Sequence, residues 1–158
     1  MANSAAHDVG AGLVARPAAA SISVTAAGSG DSTTAVGYAV DTSPQTLGAR
    51  FNSAALLLSS IATMASGESI SVVAGVDHST NNSDWTVLVT AAAVYVHTAT
   101  GGAASLVQRS GRVSVDLSKA KQWIRATLNP DMSRTGTDTA VVSAVWALGH
   151  PDRIPSAA

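Results

Sequence analysis

The side chains able to do chemistry are few, and their spacing is unhelpful for catalysis. His7, His78, His97 and His150 are scattered along 158 residues, with neither His-x-x-x-His nor His-Glu-x-x-His spacing for a metal. Glu68 is the only glutamate, so paired catalytic carboxylates are poorly supplied. No Gly-x-Ser-x-Gly elbow presents a nucleophile beside Asp77, His78 or any other histidine. There is no cysteine, which removes thiolate ligands, thiol nucleophiles and disulfides. Asp77, Ser79, Asn81 and Asp84 put several oxygens in one stretch, as a calcium loop would. An EF-hand, however, needs glycine at its sixth position and an acid at its twelfth, and those are Asn82 and Leu88. An Asx-rich hairpin tip, its side chains capping local amides, is the reading preferred. The expectation is a protein that is no enzyme and uses no cofactor or metal.

Two formal motifs dissolve in their context. Gly10-Ala11-Gly12-Leu13-Val14-Ala15 spells a dinucleotide fingerprint, which works only between a strand and a helix. No strand pattern precedes it, and Pro17 disfavours the helix. Asn81-Asn82-Ser83 is a glycosylation acceptor, but the first twenty residues have neither a basic start nor an unbroken apolar segment to act as a secretory signal.

Trp85, Trp123 and Trp146 could stack a sugar or a base. Tryptophans on alternating strands more often anchor a core or a protein interface, because the ring buries much apolar area and keeps one polar handle. Arg125, two residues from Trp123, reads as a paired or stacked surface residue. Nine Lys and Arg balance ten Asp and Glu, for a formal net charge of −1. Such a balance offers no electrostatic footprint for nucleic acid or an anionic membrane. Apolar runs such as Ala54–Leu58 and Ala91–Val96 are far too short for a membrane-spanning helix. A soluble, intracellular protein is expected.

The elements that must position these side chains read as strands. Apolar residues are mostly Ala and Val, polar residues mostly Ser and Thr, and only 12% of the chain is charged. Val and Thr pack well on a pleated surface. The wet face of an amphipathic helix needs Glu and Lys, and Lys119 and Lys121 are the only lysines. Strands are expected at Ile22–Thr25, at Thr34–Val40 and at Ala54–Thr63. The last also fits a helical stripe, and as a strand it would be buried on both faces. Ser69–Asp77 alternates, and a polar tip at His78–Asp84 leads into Trp85–Val89. Ala91–Val96 extends that strand or begins another. Ser105–Gln108 and Arg112–Val115 are short candidates. Gln122–Leu128 and Thr139–Leu148, with a polar loop between, read as an antiparallel hairpin.

The predicted fold is all-β: an antiparallel sandwich, jelly-roll or Ig-like, of at least seven strands. Residues 1–20 are expected to form an extended arm, 21–155 a single sandwich domain and 156–158 a tail. The arm lacks apolar periodicity and holds Gly10, Gly12 and Pro17. Its Val9, Leu13 and Val14 are too few for a core, yet enough to dock on a neighbouring subunit.

The late stretch Lys121-Gln122-Trp123-Ile124-Arg125-Ala126-Thr127-Leu128-Asn129-Pro130, followed by Val141–Pro151, resembles small virion proteins of tailed bacteriophages. Those commonly carry an aromatic-apolar-Arg strand, a polar loop, and a final strand running to Leu-Gly and a proline. Gly67–Trp85 is similar to their strand entering a polar hairpin, and Val40-Asp41 to the end of their first long strand. Asn81–Asp84 stands where Asp-Gly is frequent, and Gln122-Trp123 where Arg-Tyr is usual. The resemblance spans about residues 34–155 and implies a capsid decoration or cement protein. Its partner would be the major capsid protein, with self-association on the lattice, a trimer being one form. It would sit on the capsid exterior after synthesis in the host cytoplasm, contacting no nucleic acid and no membrane.

Candidate interface residues are therefore Val9, Leu13, Val14, Trp85, Trp123 and Arg125. A tail or neck component would suit the same features. The competing class is a carbohydrate- or host-surface-binding sandwich that uses the tryptophans.

Overall fold

The computed structural model of the chain describes residues 13–43, 50–101, 105–133 and 137–149. Every regular element among them is a strand: β1 (Leu13–Pro17), β2 (Ile22–Thr25), β3 (Ala35–Val36), β4 (Val40–Asp41), β5 (Ser53–Met64), β6 (Ser69–Ser79), β7 (Thr86–Thr98), β8 (Ser105–Asp116), β9 (Trp123–Met132) and β10 (Thr139–Gly149). They form two five-stranded antiparallel sheets packed as a sandwich. One runs β1-β10-β5-β8, with β2 also on β10; the other runs β3-β9-β6-β7, with β4 also on β9.

Strict alternation explains the packing. Along β5, Ala54, Leu56, Leu58, Ser60, Ala62 and Met64 turn inward, and along β9 so do Ile124, Ala126, Leu128, Pro130 and Met132. Period-2 side chains from both sheets meet in one core, with Trp146 and Leu148 of β10 fully enclosed. The Trp146 Nε1 has no hydrogen-bond partner there. A buried orphan N–H costs about 1–3 kcal/mol, which the area buried by the indole must exceed.

Each of the first two edges is one interrupted strand. β1 and β2 flank the two halves of β10, and the Ala18 amide between them donates to the Ala144 carbonyl at 3.1 Å. β3 and β4 likewise flank β9, with the Gly37 amide donating to Ala126 at 2.8 Å. The two interruptions touch. The Tyr38 amide donates to the Ala18 carbonyl at 2.8 Å, which stitches the sheets along this side. A Cβ on Gly37 would stand 2.2 Å from that carbonyl oxygen, so glycine is what lets the sheets close. The opposite side closes at Gly111 of β8, where a Cβ would lie 2.5 Å from Val94 Cγ1 and 3.0 Å from the Tyr95 ring on β7.

Several expectations change. The extended arm does not reach residue 20: Leu13–Pro17 is a sheet strand and Ala18 is buried, because ladder bonds to β10 satisfy its backbone. Thr34–Val40 is two short pieces, divided at Gly37. The stretch 54–63 is a strand, but its outward Leu57 and Ile61 are exposed, so it is buried on one face only. The two candidates within 105–115 are one strand, and so are those within 85–96, with bulges in the β6–β7 register. The predicted late hairpin does not pair. β9 belongs to one sheet and β10 to the other, since each buries its apolar face against the opposite layer. Pro130 lies within β9, beyond Leu128, the last residue paired with β3. Its neighbour there is a turn, and Ser32 N donates to its carbonyl at 2.9 Å.

Candidate interaction surface

The outer face of the β9-β6 sheet gathers polar and aromatic groups by cross-strand register. Asp77 of β6 stands opposite Arg125 of β9, and Ser79 opposite Trp123. Arg125 Nε and Nη2 both donate to Asp77 Oδ2 at 3.2 Å, with both side chains largely shielded. The Arg125 guanidinium also lies over the Trp85 ring, its carbon 4.2 Å from the centroid. A planar cation can serve both partners at once, which a lysine ammonium could not.

Beside this cluster, Lys121 N donates to His78 Nδ1 at 3.2 Å, and Lys121 Nζ donates to Thr86 Oγ1 at 2.8 Å. Burial and then the Lys121 charge hold the His78 pKa below its ordinary 6.5, with Asp77 opposing them. Neutral imidazole is thus the form that fits, because Nδ1 must accept. The hairpin tip uses its own oxygens. Asn81 Oδ1 accepts from Ser83 N at 3.0 Å and Asp84 N at 2.8 Å, while Asn81 Nδ2 donates to Asp84 Oδ2 at 2.6 Å. Asn82 takes the left-handed region at φ 59°, which asparagine tolerates. These contacts leave the loop's oxygens serving local amides, and Asp77 serving Arg125. Among the described residues no three His, Cys, Asp or Glu side chains group to hold a metal.

A second feature lies on the stitched side, where Arg16, Pro17, Tyr38, Val40 and Asp41 line an open groove of about 390 Å³. Asp41 is occupied locally, accepting from Ser43 N at 2.7 Å and from Gln122 Nε2 at 3.2 Å. Sequence reasoning did not find this groove. The backbone crossing at Ala18 and Tyr38 creates it, and no local pattern reports such a crossing.

Of the residues singled out from sequence, Trp85 and Arg125 meet, and Trp123 shares their face of β9 two positions away. Leu13 and Val14 lie on the other sheet, Leu13 outward and Val14 against the core. Val9 lies outside the described residues. Trp146 is in the core, so the three tryptophans do not form one platform.

No protein-family model matches the sequence, and no curated protein matches it. Among solved structures the chain is similar to a chain in the structure of infectious bursal disease virus, Gx strain: 14% identity, TM-score 0.51, over 90% of this chain and 33% of that one. It is also similar to a chain of T=1 particles derived from infectious bursal virus, at 12% identity and TM-score 0.49, over 87% of this chain and 31% of that one. The chain thus spans about a third of the length of these structures. At such identity the likeness is one of fold, an antiparallel β-sandwich.

Proposed function

We propose that this protein is a non-enzymatic structural component of a virus particle. In finer terms, it decorates the outer surface of a tailed-phage capsid, bound to the major capsid protein. The observation that carries the reading is the fold likeness over 90% of the chain to a protein of a virus structure. The sequence pattern of Lys121–Pro130 and Val141–Pro151 supports the phage assignment independently of that fold. Surface chemistry supports it too. A low-charge sandwich rich in Ser, Thr and Ala can be covered by a lattice without stranding unpaired charges. The glycan-binding alternative loses Trp146 to the core and one face of Trp85 to Arg125.

The test is direct. Particles purified from a lysate in which this chain is made are examined by mass spectrometry and by cryo-electron microscopy. The expected result is stoichiometric copies on the capsid exterior. Density at the tail or neck would replace decoration with that location, and particles lacking the chain would overturn the virion reading altogether.

A further inference from the structure

The centres of the two outer faces are unlike, although Val36, Val87 and Val96 are exposed toward the margins of the β3-β9-β6-β7 sheet. The face of β9 and β6 carries Asp77, Arg125, Asn129 and Asp131, as the wet side of an antiparallel sheet should. The face of β10 and β5 does not. Its directly opposed pairs are Leu57 with Val145 and Ile61 with Val141, each side chain between 43% and 49% exposed. Between them lies the pair Ser59 and Ser143. Apolar residues thus stand on both sides of β5, the pattern of a strand covered on both faces, while the described residues cover only one.

We propose that a second copy of this chain covers the outer face of the β1-β10-β5-β8 sheet, two copies meeting sheet to sheet about a two-fold axis. Three observations select a second copy as the occupant. The first is charge. Arg112, opposite Leu57, is the only ionised residue at the centre of the face, and the chain's formal net charge is −1, so like copies are not held apart. The second is shape. An open depression of about 600 Å³ runs past Ser59, Ser110 and Ser143 beside the Leu57 and Val145 side chains. A two-fold places the apolar ridge of each copy over the serine dip of the other, the self-complementarity an isologous contact requires. The third is area. Four strands of this length present roughly 700 Å², close to the ~800 Å² per partner of a standard stable interface. This contact belongs to the free protein and holds whether or not the chain is part of a particle.

The experiment is sedimentation velocity on the full chain between about 1 and 100 μM, with circular dichroism to monitor folding. The wild type is expected to be a dimer in the upper part of that range. Leu57→Glu removes the apolar ridge and puts a carboxylate, even one paired with Arg112 opposite, under the desolvation cost of the contact, so the dissociation constant should rise at least about tenfold. Ser59→Arg fills the dip, and it keeps the test decisive if Leu57→Glu fails to fold. Val87→Ser, at an exposed position of β7 on the other sheet, should leave the dimer intact. Since the chain has no cysteine, Ser59→Cys adds a single thiol that a short bifunctional maleimide should link between copies. A wild type monomeric at 100 μM, a trimer, or a dimer indifferent to both Leu57→Glu and Ser59→Arg overturns the proposal. So does a monomer that uses this face only to bind capsid.

Discussion

The Arg125 guanidinium lies 4.2 Å above the Trp85 ring, although forty residues separate the two in sequence. The ion pair to Asp77 holds that guanidinium over the ring, so two strand positions and Trp85, just before β7, act as one unit. Arg125→Lys should lower stability by about 1 kcal/mol, since an ammonium can pair with Asp77 or sit over Trp85 but cannot bridge both. Urea denaturation followed by tryptophan fluorescence measures this. A midpoint unchanged from wild type would mean the stack contributes nothing.

Stability should fall as the solution is acidified through the range just below pH 6.5. The His78 pKa is lowered in the folded state from 6.5, so the unfolded chain takes up its proton first as pH falls. The contribution is complete above 6.5 and is lost as pH drops through the lower folded value. Protonation also ends the acceptance of the Lys121 amide by Nδ1. His78→Asn, which can still accept, should flatten the profile between pH 7 and 5. Thermal melts across that range check it, and a profile as steep as wild type would assign the acid sensitivity to other groups.

Gly37→Ala should cost on the order of 1–3 kcal/mol, as overpacking against rigid backbone does. The new methyl would meet the Ala18 carbonyl at 2.2 Å and the Ala126 carbonyl at 3.1 Å. Gly67→Ala offers the contrast. Its φ of 86° strains alanine, but nothing lies within 4 Å of the new atom, so its cost is conformational alone. Calorimetric melting of both variants separates the close approach from the dihedral.

Removing residues 2–18 should lower the melting temperature by several degrees. It takes away β1, whose five residues pair with Leu148 and its neighbours on β10, and it also removes buried Ala18. A melting temperature equal to wild type would return the whole segment to the role of an arm.

Much of the fold was legible because burial on one side of a strand imposes a period of two. Ile22–Thr25, Ser69–Asp77 and Thr139–Leu148 carry that period in their own residues, and each is a strand. The β6–β7 hairpin was legible as well, because its polar tip interrupts two apolar runs. The Trp85–Arg125 contact was not. Arg125 was recognisable as a stacked or paired surface residue, but its partners depend on which strands are neighbours. Asp77 and Trp85 become neighbours of Arg125 only through the β9–β6–β7 order.

Residue types and their alternation alone established a low-charge, all-β chain with little catalytic apparatus. Tertiary structure decided everything that depends on which strand lies beside which. It sent β9 and β10 to different layers, turned the presumed arm at Leu13–Pro17 into an edge strand, and left Leu57 and Ile61 facing outward. The physical reason is that alternation reports which residues share a face of one strand. Whether that face is covered depends on what packs above it, and β5 carries apolar residues on both faces while the described residues supply only one cover.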